Sequence, residues 1–435
     1  MTDTNHALTG LDSVDWTALQ HAYGPADDVP AQLCALCSPD PAERHKALDD
    51  LYGNIFHQGS RYPATAAAVP FLARMAADPA LPGTPETLEL LASLAIGYDE
   101  SHLPGGVAIA DWRREVEEFL ARDPEEIGAE LDAWVEAAAD EGERRSRDFR
   151  RSLFDHDRQC ESAQAELGAY DAVRRELPGL LPLLADAEPA VRAATAYLLA
   201  WFPEEAGETL PPLLRLLDAE REPVVLATAL VAAGLLGDGE LVGRLRAFLT
   251  ARELVVRWAA ATALARLGAA GAADAVSVEV LTELAAVEDE APGTGALRVL
   301  FHEGDLRGCA AASLVLLADR FPDEALDAVT GALAGTSGPA SFPVAEAALR
   351  LAFGAPGQGG VGAFEELGER QRRLVRVLAG LGTQTWQWVN LLSLVRSWGL
   401  PTPRDALRAY AGLPEEQEAA QERRAGAAGR GFTGP

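Results

Sequence analysis

Lysine is almost absent from this chain of 435 residues: Lys46 stands alone, and every other member of its 37 lysines and arginines is an arginine. Aromatic residues make up only 6%. A β-sandwich core draws on β-branched and aromatic side chains, so this shortage weighs against one. Cations are scarce beside 66 carboxylates, which leaves a formal charge of -29. Nucleic-acid affinity rests on Lys and Arg displacing counterions from phosphates, so nucleic acid is not expected as a partner. The four cysteines, Cys34, Cys37, Cys160 and Cys309, provide one CxxC with no second pair beside it, so neither a zinc site nor a cofactor is expected. Cys34 and Cys37 are expected to pack in the core, as free cysteines commonly do.

Long apolar runs are missing too. Val224 to Gly237 is too short for the roughly 20 residues that span a bilayer. MTDTNHALTG lacks the charged-then-apolar layout of a signal peptide, so a cytoplasmic protein with no membrane partner is expected.

What the chain has in quantity is alanine and leucine at helical spacing. Three segments align: ELPGLLPLLADAEPAVRAATAYLLAWFP, TLPPLLRLLDAEREPVVLATALVAAGLLG and LVGRLRAFLTARELVVRWAAATALARLG. Val191, Val225 and Val256 mark equivalent positions, 34 and then 31 residues apart. Eleven residues beyond them stand Phe202, Leu236 and Leu267, each followed by a helix breaker, Pro203, Gly237 or Gly268. Leu177, Leu180, Leu181 and Leu184 run i, i+3, i+4, i+7, as do Leu210, Leu213, Leu214 and Leu217. Pro189 and Pro223 stand where a second helix begins, because a proline in the first turn forfeits no needed hydrogen bond. Each unit therefore reads as two antiparallel helices that must stack on neighbours to bury both faces.

The segments Pro189-Ala-Val-Arg192 and Val255-Val-Arg257 to Leu267-Gly268 carry the pattern xPxVRxxAxxALxxLG. In this the chain resembles the HEAT-repeat family, particularly its bacterial, phycobilin-lyase-like branch. The arginine bias and Ala/Gly richness resemble proteins of GC-rich bacterial genomes, such as those of actinobacteria. The resemblance implies an all-α fold, a HEAT-type α-solenoid of stacked antiparallel helix pairs. Its parts are helix pairs in 1–96, a charged helical insertion in 97–175 and three clear repeats in 176–268. Degenerate repeats and a cap follow in 269–412, then a disordered tail in 413–435. In the N-terminal part, Asp40-Pro41 and Thr84-Pro85-Glu86 read as capped helix starts. In the insertion, Asp111 to Arg145 carries thirteen carboxylates against five arginines.

Few segments suggest chemistry. No HExxH, GxSxG, GxxxxGK[ST] or GxGxxG is present, so no catalytic or metal-binding residue is assigned. His156, in Phe-Asp-His-Asp-Arg, and His302, in Phe-His-Glu-Gly-Asp, are expected to sit in solvated charged loops. Trp388, Leu391, Leu392 and Val395 share one helical face and are expected to seal the last repeat.

The most distinctive polar segment runs from Tyr52 to Pro63. Its Tyr52, Asn54, His57, Gln58, Arg61 and Tyr62 are the candidate partner-binding residues. The segment resembles one found in bacterial HEAT proteins that carries no activity to transfer. The alternative is that Asn54, His57 and Gln58 only satisfy helix ends and shape a long inter-helix turn.

HEAT solenoids bind proteins, so the expected function is a non-enzymatic binding or scaffold protein whose partner presents a basic surface. An immunity or regulatory role falls in that class by analogy of fold and charge. The other reading is enzymatic: HEAT-like folds also include DNA glycosylases and bilin lyases. For a glycosylase, Arg192, Arg215, Arg244, Arg246, Arg252 and Arg257 would have to form a basic stripe.

Overall fold

The structure, a computed structural model, describes residues 6–138, 140–287, 293–294, 297–357 and 361–414. Among them are twenty α-helices, and the strands form three two-residue antiparallel hairpins, so the protein is all-α. No described helix is long and apolar enough to cross a membrane. The segment expected to be a disordered tail lies outside the described residues from 415 onward. Contacts divide the chain into two compact units: residues 1–237 with 293–300, and residues 238–292 with 301–435.

The first unit opens with hairpin β1 (Gln20–His21) and β2 (Gly24–Pro25). Helices α1 (Val29–Leu36) and α2 (Pro41–Asn54) then pack on one another. Asp40 caps α2 by accepting a bond from Ala42 N at 3.0 Å, as the Asp-Pro pair implies. A second hairpin, β3 (Phe56–His57) and β4 (Ser60–Arg61), leads to α3 (Pro63–Ala77) and α4 (Thr84–Ile96). The charged stretch forms α5 (Ile109–Leu120), α6 (Pro124–Glu136) and α7 (Glu141–Ser152). α8 (His156–Leu180) then returns to pack along both α3 and α4. α9 (Pro189–Leu199) lies against α4, α10 (Ala206–Ala219) against α11 (Pro223–Leu236), and α11 against α9. Because α4 meets α8 and α9 directly, α5 to α7 lie outside that run of contacts. α8 is one helix across residue 175. Ala169, Tyr170, Ala172, Val173, Leu177 and Leu180 are its buried positions, and Pro178 stands two residues before its end.

The second unit holds α12 (Val242–Arg246), α13 (Leu254–Ala269) and α14 (Val278–Ala285). After β5 (Gly293–Thr294) and β6 (Leu297–Arg298), which belong to the first unit, it continues with α15 (Leu306–Val315), α16 (Pro322–Ala334) and α17 (Ser341–Phe353). It ends with α18 (Glu369–Gly380), α19 (Val389–Ser397) and α20 (Arg404–Tyr410). α13 packs on α12, α14 and α15, and α17 on α15, α16 and α18.

The three marker valines are all buried: Val191 in α9, Val225 in α11 and Val256 in α13. So are Phe202, Leu236 and Leu267. Two arginines that follow a marker make matching bonds. Arg192 Nη1 donates to the carbonyls of Asp186 and Ala187, and its Nε and Nη2 grip Glu220 at 2.7 and 3.1 Å. Arg257 Nη1 donates to the carbonyls of Ala251 and Arg252, and its Nε reaches Glu283 at 2.8 Å. Each thus joins the turn before its own helix to a carboxylate further along the chain. Burial raises the affinity of Glu220 for a proton, but bonds from Arg192 and from the backbone N–H groups of Glu222 and Arg221 outweigh it, so the carboxyl lies below its usual range.

Four expectations are corrected. Cys34 is exposed and Cys37 half-buried, because α1 turns Val29, Leu33 and Leu36 inward and leaves the cysteines beside that stripe. His156 starts α8 with its side chain only 16% exposed, its ring 5.6 Å from Phe119. His302 is also mostly buried, on a backbone held at φ 54. Trp388 is 47% exposed, because it precedes α19 with extended backbone and so does not share the helical face of Leu391 and Val395. Trp386 and Trp398 are the buried indoles of that region, donating to the carbonyls of Leu378 and Gly354.

Val256→Asp is expected to cost about 3 kcal/mol or more, since a buried carboxylate there has no partner. Val278→Asp, at a site 60% exposed, is expected to stay within about 0.5 kcal/mol of the parent. Urea unfolding followed by circular dichroism checks both values.

Candidate functional site

Tyr52 to Pro63 is not an irregular turn. α2 runs on through Asn54, and the hairpin then pairs Phe56 with Arg61 and His57 with Ser60. Its two central residues have positive φ, Gln58 at 50° and Gly59 at 86°, the geometry that matches strand twist in a two-residue hairpin. Glycine suits the second position for another reason: a Cβ there would stand 3.0 Å from the Tyr98 ring. Thr65 then ties the hairpin to α3, accepting from Tyr62 N at 2.8 Å and donating to the Ile55 carbonyl at 2.6 Å.

The six candidate residues separate by burial. Asn54 is inside, bonding Asp28 and Gln32 of the α1 segment. Tyr52 stacks edge-on against Phe56, and burial pushes its hydroxyl up to about 12 despite a bond with Ser93. His57, Gln58 and Tyr62 lie at the surface or half-buried there. His57 Nδ1 donates to the Gly53 carbonyl at 3.0 Å, and the exposed Tyr23 packs its ring 5.4 Å away. Tyr23 and Tyr98, 72% and 49% exposed, therefore flank the hairpin, although neither was among the sequence candidates.

Arg61 is the unexpected member, because its side chain is only 6% exposed. Nη1 donates to the Gly59 carbonyl, and Nη2 reaches Glu166 of α8 at 3.3 Å. The guanidinium also lies 6.0 Å from the ring centre of Trp112 in α5. Gly97 makes room for it: a Cβ there would fall 2.6 Å from Nη1, at a backbone φ of 78°. Nε has no hydrogen-bond partner among the described residues. Burial lowers the Arg61 pKa, with Glu166 opposing the shift.

Arg61 lines a cleft of about 380 Å³ in the first unit, within the size range of small-ligand sites. Ile96 and Val107 supply apolar wall, and Asp111, Trp112, Glu115 and Glu166 supply most of the polar lining. Ala108, Asp111, Trp112 and Glu115 fall at i, i+3, i+4 and i+7, so one face of α5 forms a side of the cleft. That spacing is visible in the sequence, where the charge of the insertion masked it. Arg113, on the neighbouring face, fixes α5 by bonding Asp171 of α8 at 3.0 and 2.6 Å and holds that carboxyl below its usual range.

His102 closes another side. Its Nε2 donates to the Ile96 carbonyl at 3.0 Å, which leaves Nδ1 as the acceptor. Burial lowers its pKa, the Ile96 bond opposes this, and the Arg61 cation adds to the lowering. Cys160 and His156 form a second polar pair, Sγ lying 3.6 and 3.7 Å from the two ring nitrogens. Among the described residues no three His, Cys, Asp or Glu side chains group as a metal site.

Two outcomes follow from this burial. Arg61→Ala is expected to destabilise the protein by about 1–3 kcal/mol, since it strips the Glu166 and Gly59 partners and empties the space beside Gly97. Thermal melting checks it. Below about pH 6.5 an unfolded chain takes up a proton that folded His102 resists. Stability from this group is therefore complete above that pH and lost with acid, and His102→Asn is expected to shallow the fall in melting temperature between about pH 7 and 5.

No protein-family model matches the chain, and no curated protein matches it. A crystal structure of an engineered protein aligns with 89% of this chain and 97% of its own, at 17% identity and a TM-score of 0.29. A likeness of that size carries no argument about fold or function.

Proposed function

We propose that this chain is a HEAT-type solenoid of stacked helix pairs that binds a protein partner with a basic surface and performs no chemistry on it. The matching bonds of Arg192 and Arg257 support the repeat, because one residue type serves one structural purpose in two helices of the same pattern. The observation that carries the binding half is the setting of the β3–β4 hairpin. Exposed Tyr23 and Tyr98 flank it, and the Asp111, Glu115 and Glu166 carboxylates line the adjoining cleft, in a chain of charge -29. Tyrosine is enriched at interface hot spots, and complementary charge speeds encounter with a basic partner.

Affinity capture on the full chain from the native lysate tests this. Basic proteins are expected to be held at low salt and released as salt rises past about 0.15 M, where the Debye length is about 8 Å. Tyr23→Ala, at an exposed ring, is expected to reduce capture by about fivefold or more with little loss of stability. A captured set with no basic bias would overturn the basic-partner reading, and a mobility shift of duplex DNA at physiological salt would turn it toward the glycosylase alternative.

A further inference from the structure

Cys34 and Cys37 stand three residues apart on α1 and so share one side of it, and the structure leaves that side open: Cys34 is exposed and Cys37 half-buried. All four cysteines are free, and Cys160 and Cys309 stand on other helices, α8 and α15. Cys37 is the C-cap of α1, and its N–H bonds the Cys34 carbonyl at 3.1 Å, so the two thiols belong to one closing turn. The Cys37 Sγ leans back along the helix, 3.9 Å from the Leu33 carbonyl, toward the turn that Cys34 occupies.

Distances decide what such a pair can hold. Side chains three apart on a helix have Cβ atoms about 5–6 Å apart, whereas a disulfide draws them to about 3.5–4.5 Å. Oxidation would therefore have to distort the turn. A metal ion asks for less: with metal–sulfur bonds of about 2.3 Å, two sulfurs on opposite sides of the ion stand about 4.6 Å apart, within reach of the undistorted turn. The electrostatics also suit a cation better than a nucleophile. Burial raises the Cys34 thiol, and the Asp12 carboxylate adds to the rise. Burial likewise raises Cys37, with the charges of Cys34 and then Asp78 adding. Those carboxylates, and the partial negative charge at the C-terminal end of α1, oppose a bare thiolate and favour a positive ion. No group of three His, Cys, Asp or Glu side chains forms among the described residues, so a tetrahedral zinc site is left incomplete.

We propose that Cys34 and Cys37 together bind one soft, two-coordinate cation of the copper(I) class. Thiolate sulfur selects such ions over hard ones. Each thiol gives up its proton to solvent as its sulfur bonds the ion, so one copper(I) replaces two protons and nothing is oxidised. The assignment does not rest on the basic-partner reading.

The test titrates the full chain, reduced and kept free of oxygen, with copper(I) held by a coloured chelator. One copper(I) per chain is expected to leave the chelator, with new ultraviolet absorption from copper–thiolate bonds. Cys34→Ser and Cys37→Ser are each expected to weaken uptake by about a hundredfold or more, since losing even an outer partner of a metal ligand costs about 10- to 100-fold. Cys160→Ser is expected to leave uptake unchanged. Cys34→Ser lies at an exposed site and is expected to keep the melting temperature, so its loss of uptake is not a loss of fold. No uptake by the parent chain overturns the proposal, as does uptake that survives Cys34→Ser. One copper(I) per two chains overturns the pairing within a chain, and zinc bound as tightly as copper(I) overturns the two-coordinate site.

Discussion

Placing one guanidinium out of water organises the candidate site. A charge as buried as Arg61 is tolerated only with partners, and its partners come from separate stretches of chain: its own hairpin through Gly59, α8 through Glu166 and α5 through Trp112. Gly97, after α4, leaves the room. An arginine serves better than a lysine here, because its planar fork spreads several donors over fixed directions. The cleft exists because these segments converge on that side chain without filling the space beside it.

The same economy recurs elsewhere in a chain poor in cations. Arg113 fastens α5 to α8, Arg192 and Arg257 bind a turn to a later carboxylate, and Arg298 grips Glu89 of α4 with two bonds. These arginines neutralise particular carboxylates where helices approach, and the excess acid of the sequence remains.

Much of the helical layout was legible because the physics that sets it is local. Pro189 and Pro223 begin α9 and α11, Asp40 caps α2, and the marker valines are buried. α4 begins at Thr84 itself, with Gly83 before it in a left-handed conformation. The hairpin was harder to read, because Gln-Gly is a weaker turn signal than Asn-Gly and its strands are only two residues long. The burial of Arg61 is not legible, since nothing near it in sequence reports Glu166, 105 residues away. Cys34 and Cys37 show the complementary error: their spacing defines a helical face, but not which face turns inward.

The pairing of Arg61 with Glu166 holds the hairpin to α8 beside the cleft. A double-mutant cycle with Arg61→Met, Glu166→Gln and the combined variant, read by urea unfolding, measures that coupling directly. The burial and the 3.3 Å contact lead to an interaction energy of about 1–3 kcal/mol. Additive single effects, with a coupling below about 0.3 kcal/mol, would contradict it.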